Sequence, residues 1–278
     1  MRSAAALWRS CHPGPTLVVS VLSLLLGLAA EATPTALALL VGSVFAGQLS
    51  IGWSNDAIDA GRDRAVGRID KPIARGEIGV RTVWIAAVGA VAAALILSAL
   101  LGPGFLIAHG VFLVSAWSYN VALKRSVLSL APFLLSFGLF PSLATLATDP
   151  ARVAPLWAWI AGAALGAAVH LTNVLPDLDD DARTGIRGLP HRIGARASVV
   201  AAFAAVAIGA LSVLLGGWML QPAPLAAAVS VVGCVLVLAV AAAGLVRALR
   251  APDRTVFRLV MVSALLLALQ LAATSAGL

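Results

Sequence analysis

Charge is scarce in this sequence, and negative charge most of all. Only 11% of the 278 residues are charged and only 12 are acidic, while 61% are hydrophobic and the mean hydropathy is +1.00. That balance excludes an ordinary soluble domain. Cysteine is nearly absent. Cys11 and Cys234 lie far apart, and Cys234 sits inside an apolar run, which argues against a disulfide framework or a thiolate metal site. Long polar linkers are missing too, so residues 1–278 are expected to form one domain. The net charge of +7 would suit nucleic acid in a soluble protein. In a membrane protein, Arg and Lys chiefly record topology, so no nucleic-acid partner is expected.

What the chain has in abundance is apolar runs of about 20 residues, enough to cross a hydrocarbon core of about 30 Å. Nine spans are expected, at 15–31, 35–54, 82–101, 104–122, 127–147, 154–173, 197–219, 223–246 and 256–276. Most of the breaks carry Gly or Pro, as in Gly102-Pro103-Gly104 and Asp149-Pro150. The stretch from Met1 to Ala30 looks like a signal peptide, but the many spans after it make an uncleaved first helix the better reading. Of the 19 basic residues, all but Arg152 fall at the N-terminus or in every second loop. That asymmetry puts the N-terminus inside and the C-terminus outside. The expected setting is a prokaryotic cell membrane, crossed many times.

The few acidic residues are not scattered. Nine of the 12 lie in the inner regions that follow the second and sixth spans. The first group occupies Asn55-Asp56-Ala57-Ile58-Asp59-Ala60-Gly61-Arg62-Asp63. On a helix, Asp56, Asp59 and Asp63 share one face. Read alone, the group fits a solvated helix end as well as a ligand site. The second group reads Asn173-Val174-Leu175-Pro176-Asp177-Leu178-Asp179-Asp180-Asp181. Asn173, Asp177 and Asp181 repeat the spacing of Asn55, Asp59 and Asp63, each 118 positions later. Both spans run in the same direction, so this is expected to be a parallel internal repeat that presents two half-sites to one cavity.

Like-charged carboxylates repel, and a divalent cation would reconcile them. Facing clusters of hard oxygen donors suit a diphosphate bridged by Mg²⁺, with Mn²⁺ a weaker substitute. The chain has two lysines, Lys71 and Lys124, and both lie in inner loops. With Arg68 and Arg125 they could stabilise a departing diphosphate. Simple positive-inside anchoring accounts for the Lys124-Arg125 pair equally well.

Together these residues resemble the UbiA superfamily of intramembrane prenyltransferases, the 4-hydroxybenzoate polyprenyltransferase-like proteins. Asn55-Asp56-x-x-Asp59-x-x-x-Asp63, with Arg68-x-x-Lys71-Pro72 and Gly76, resembles the first signature of that family. Asn173-x-x-x-Asp177-x-x-x-Asp181, with Gly185, Arg187, Leu189 and Gly194, resembles the second. Tyr119 and Lys124-Arg125 match a weaker third feature. The resemblance implies nine transmembrane helices around a central cavity. It also implies Mg²⁺-assisted transfer of a prenyl group from a polyprenyl diphosphate to a lipophilic or aromatic acceptor, within membrane lipid and with no obligate protein partner. Carried over residue by residue, Asp56, Asp59, Asp63, Asp177 and Asp181 would hold metal. Asn55, Arg68, Lys71, Tyr119, Lys124 and Asn173 would contact the diphosphate. Asp59, Asp63, Asp177, Asp181 and Lys124 would carry catalysis.

There are two departures. Lys71 stands where many members have Arg, and lysine keeps the charge without the bidentate geometry. His12-Pro13 stands where many have Arg-Pro, and His12 is expected to be interfacial decoration rather than a site residue. Gln48, His109, His170 and Thr172 could line the cavity or simply join helices. Trp53 and Trp117 are expected to belong to an interfacial belt. The rival classes are an ion-coupled transporter and a non-catalytic isoprenoid-binding homologue. The acidic groups sit at helix ends on one side rather than at the midplane, which speaks against the transporter.

Overall fold

A computed structural model of the chain describes residues 2–175, 178, 185–219, 224–250 and 254–274. All regular structure among these residues is helical. A short helix, α1 (Arg2–Arg9), precedes α2 (Pro13–Ala29), α3 (Pro34–Ala65), α4 (Val80–Ala99) and α5 (Pro103–Val121). Two short 3₁₀ turns, Leu123–Arg125 and Val127–Leu130, lead into α6 (Ala131–Leu146). Then come α7 (Leu156–Asn173), α8 (Leu189–Met219), α9 (Pro224–Arg250) and α10 (Arg254–Thr274).

Proline begins α2, α3 and α5, where its missing N–H costs no hydrogen bond. The Thr33 hydroxyl accepts the Ala36 N–H at 3.3 Å and caps α3. The α3 helix does not stop where the second span was expected to end. It continues to Ala65, so the whole first acidic group is helical and its residues do share a face. The N-terminus also differs from expectation. The first helix expected within Met1–Ala30 is broken in two: a separate helix α1 meets α2 at a 68° bend.

Six described helices are long and apolar enough to cross a membrane: α3, α4, α5, Val127–Leu146, α8 and Ala227–Arg250 of α9. Counting the bent pair Ser3–Arg9 and Pro13–Ala29 as one span gives seven. Two tryptophans, His170 and Asn173 dilute the apolar character of α7, and α10 offers the shorter apolar stretch Arg258–Thr274.

Neighbours in sequence pack as neighbours in space, α2 on α3, α5 on α6, α6 on α7 and α7 on α8. The last helix, α10, returns to α7, α8 and α2 and so closes a ring. Helix α4 fills in against α3 and α5, and α9 against α8 and α10. One apolar cluster holds most of this ring, with Leu26, Leu40, Phe105, Leu143, Phe203 and Leu267 buried in it. A second, smaller cluster joins α1, α3 and α4 at the end that carries the first acidic group. Ile73 and Ile78 belong to it, which anchors the segment between α3 and α4. Residues such as Val18, Ile85, Ile96, Ile107 and Leu215 point outward, as a lipid-facing surface requires.

Candidate active site

Asp56, Asp59 and Asp63 are all buried on α3. Three buried carboxylates cost too much unless each is paired. The two lysines of the chain divide the work. Lys71 Nζ lies 2.6 Å from Asp56 Oδ1, and Lys124 Nζ lies 2.6 Å from Asp59 Oδ1. Arg62 reaches both Asp59 Oδ2, at 3.2 Å, and Asp63 Oδ1, at 3.4 Å. The repulsion that pointed to a metal ion is therefore answered, in this structure, by side chains of the chain itself.

Each lysine is delivered by a separate segment. Lys71 comes from the α3–α4 connection, which Ile73 ties into the smaller apolar cluster. Lys124 comes from the 3₁₀ turn after α5, and the end of α5 is fastened to α3. Asn120 Nδ2 donates to Ile51 O at 2.9 Å and to Ser54 Oγ at 3.0 Å, and Trp117 Nε1 donates to Ser50 Oγ at 2.9 Å. Lys124 is itself buried. Burial pushes its ammonium pKa below the ordinary lysine range, and the Asp59 carboxylate offsets part of that fall.

His12, expected to be decoration, is in the cluster. It takes a left-handed backbone conformation, φ 56°, at the start of α2. Its Nε2 lies 2.9 Å from Asp56 Oδ1, 3.1 Å from Lys71 Nζ and 3.4 Å from Asn55 Nδ2. One ring nitrogen can donate to the carboxylate or accept from the ammonium, not both at once. The N-terminal segment can lie this close because residue 52 is glycine: a Cβ there would stand 2.1 Å from the Cys11 carbonyl oxygen. Trp53 Nε1 also donates to Leu7 O at 2.8 Å, so this tryptophan fastens α1 to α3 rather than lying free in an interfacial belt.

Asn55 joins the two halves of this network, with its Oδ1 accepting from Lys124 Nζ at 3.5 Å. Arg68 forks onto Asp70 through two 2.9 Å hydrogen bonds. That contact holds the Asp70 carboxyl down to about 2. Tyr119 stands edge-on to Phe133, with centroids 5.0 Å apart, and to His170, at 5.6 Å. Asn173 is the exposed last residue of α7. Asp177 and Asp181 lie outside the described residues, as does Pro176. Sequence reasoning passed over Arg62, Asn120 and His12 as site residues. Arg62 had a signal, since it stands inside the acidic motif.

Among the described residues, no three acidic, histidine or cysteine side chains come together as a closed metal cage. The donor chemistry nonetheless fits Mg²⁺, which usually takes one or two carboxylates and fills its shell with water and phosphate oxygens. Asp56 Oδ2 is buried without a hydrogen-bond partner, an oxygen that a cation would satisfy. The arrangement can thus hold a cation on the acidic face and an anion against two lysines.

The sequence model of the UbiA prenyltransferase family matches residues 16–272. No curated protein sequence matches the chain. Solved structures share its fold. A digeranylgeranylglyceryl phosphate synthase structure aligns with a TM-score of 0.76 at 14% identity, covering 100% of both chains. The apo structure of a UbiA homologue from Aeropyrum pernix K1 aligns at 0.74 and 16% identity, over 92% of this chain and 96% of that one. A UbiA homologue from Archaeoglobus fulgidus, bound to GPP and Mg²⁺, aligns at 0.69 and 16% identity, over 97% and 99%.

Proposed function

The chain belongs to the UbiA prenyltransferase family, and from that premise we propose that it moves a prenyl group from a polyprenyl diphosphate to an aromatic or other lipophilic acceptor, an alkyl transfer other than methyl. The observation that carries this reading is the pairing of two buried carboxylates, Asp56 and Asp59, with the chain's only two lysines. Such a cluster can exchange its internal ion pairs for a metal–diphosphate without leaving any charge buried alone.

Asp56, Asp59 and Asp63, with Asp177 and Asp181 from the second motif, would hold Mg²⁺. When bound, Mg²⁺ supplies Lewis-acid neutralisation of the diphosphate charge. Lys71 and Lys124, released from their aspartates, would hold diphosphate oxygens and stabilise the charge that builds as the allylic C–O bond breaks. Asn55, Asn173, Arg68 and Tyr119 would complete that contact. The allylic cation leaves the diphosphate, is attacked by the acceptor's electron-rich atom, and the adduct loses a proton. An apolar cavity around the cation would exclude the water that otherwise quenches it to an alcohol.

The same reading takes the nine longer described helices as nine spans around a central cavity, with α3 and α7 as counterparts in a parallel repeat. Helix α3 packs most extensively on α4, and α7 on α8, which supports the correspondence. The ends of the helices bearing the acidic motifs would be cytoplasmic and the C-terminus outside. The test is an assay on membranes with Mg²⁺ and labelled prenyl diphosphates of several lengths against an acceptor panel. Diphosphate release that needs both metal and one acceptor class is the expected result. Metal-dependent movement of ions without prenyl transfer would overturn the proposal in favour of a transporter.

A further inference from the structure

One hydroxyl outside the acidic cluster gathers three segments. Ser129, fully buried in the turn before α6, accepts the Leu189 backbone N–H at 2.8 Å and lies 3.1 Å from His170 Nε2. A serine hydroxyl has one proton. Its oxygen also has two lone pairs; one accepts from Leu189, and the hydroxyl either donates to His170 Nε2 or accepts from it, according to the histidine's tautomer. His170 Nδ1 is buried with no hydrogen-bond partner, and its ring is enclosed by Phe133 at 4.6 Å and Tyr119 at 5.6 Å.

The position of this junction gives it meaning. In sequence, His170 comes shortly before the second acidic motif and Leu189 shortly after it. Ser129 is five positions from Lys124. Gly188 packs so tightly here that a Cβ would lie 2.8 Å from both the Lys124 carbonyl oxygen and Ser129 Oγ. Lys124 then reaches Asp59 on the first motif. The described residues that flank the second motif are thus tied to the turn that delivers the first motif's lysine.

Resting on the prenyl-transfer reading above, we propose that Ser129 is a positioning residue, which uses His170 and Leu189 to set Lys124 against the segments flanking the second motif and so fixes the diphosphate site. Neither Ser129 nor His170 touches the reacting atoms. Their effect falls on donor binding rather than on the acceptor.

The experiment compares wild type with Ser129→Ala and His170→Phe. His170→Phe keeps an aromatic ring between Tyr119 and Phe133 and removes the unpartnered Nδ1. Donor KM and Mg²⁺ half-saturation should each rise about five- to ten-fold in both variants, roughly the worth of one lost hydrogen bond. Acceptor KM should stay unchanged, and His170→Phe should keep the wild-type melting temperature or exceed it. Mg²⁺-dependent binding of a non-hydrolysable prenyl thiodiphosphate to purified protein should weaken by the same factor, without any turnover. A purely structural junction would lower melting temperature and leave donor KM and analogue affinity alone, and that result overturns the proposal. Wild type that neither turns over nor binds the analogue would instead overturn the prenyl-transfer reading.

Discussion

Lys124 Nζ stands 2.6 Å from Asp59 Oδ1, and both side chains are almost wholly removed from solvent. This ion pair joins the turn after α5 to the middle of the acidic face of α3. A pair buried this deeply is weak evidence for stability, because desolvating two charges offsets most of their attraction. Breaking it from one side is different, since a lone charge is left behind. Its value to the protein is better sought in function.

A double-mutant cycle separates the two roles. Lys124→Met or Asp59→Asn alone should each destabilise the protein by about 3–5 kcal/mol, the usual cost of stranding one buried charge. Arg62 still faces Asp59 in Lys124→Met, so that variant should lie at the low end. The double variant should recover most of the lost stability yet carry no prenyl-transfer activity. Thermal unfolding in detergent and a turnover assay, run on the same four preparations, measure both. An active double variant would remove the pair from the mechanism.

Metal dependence follows from the unpartnered oxygen of Asp56. Chelation should abolish turnover, and added Mg²⁺ should restore it. Asp56→Asn keeps the shape and loses the charge. It should raise the Mg²⁺ concentration for half-maximal turnover by at least about ten-fold, the lower range for a disturbed metal shell. Titration of activity against free Mg²⁺ reads this directly.

Gly52 gives a test of how the N-terminal segment reaches the site. Gly52→Ala would drive a methyl group into the Cys11 backbone, which cannot move as a flexible side chain could. An overpacking cost of about 1–3 kcal/mol is expected. His12 follows Cys11 directly, so its contacts with Asp56 and Lys71 should loosen and turnover should fall as well. Gly89, exposed on α4 with nothing near its would-be Cβ, is the control. Gly89→Ala should leave melting temperature and turnover close to wild type.

How far the sequence disclosed this structure depends on the kind of signal. Apolar runs and the i, i+3, i+7 spacing of Asp56, Asp59 and Asp63 are local, and local periodicity places helices and their faces well. The side chains that neutralise those aspartates come from other segments. Lys71 and Lys124 were visible because lysine is so rare here. His12 stood out only as a departure from an Arg-Pro pair and reads as decoration, because a lone histidine carries no chemistry by itself; only the packing of Cys11 on Gly52 brings it to Asp56. The Ser129 junction was equally hidden. Serine and glycine are common in membrane helices, and nothing in their order says that Leu189 will lie beside Ser129. The inference from crowded carboxylates to metal was also incomplete, since internal cations satisfy most of the same charge.

Arg68 and Asp70 supply the pH prediction. Their forked contact, with Asp70 more than half exposed, holds the Asp70 carboxyl at about 2, well below the ordinary aspartate range. A lowered carboxylate pKa means the contact's contribution is fully present above the unfolded value of about 3.8 and is lost as pH falls through about 2. Solvent screening keeps that contribution small. At neutral pH Asp70 is therefore always charged and competes with a diphosphate for Arg68. Asp70→Asn removes the competitor, and donor KM should fall by about two- to three-fold, in line with an exposed ion pair of less than about 1 kcal/mol. In wild type, mild acidification to pH 5 should not reproduce that gain, because 5 lies well above the Asp70 pKa. Donor KM measured for both proteins between pH 5 and 8 decides it. An Asp70→Asn protein with unchanged KM across the range would place Arg68 outside the diphosphate contact.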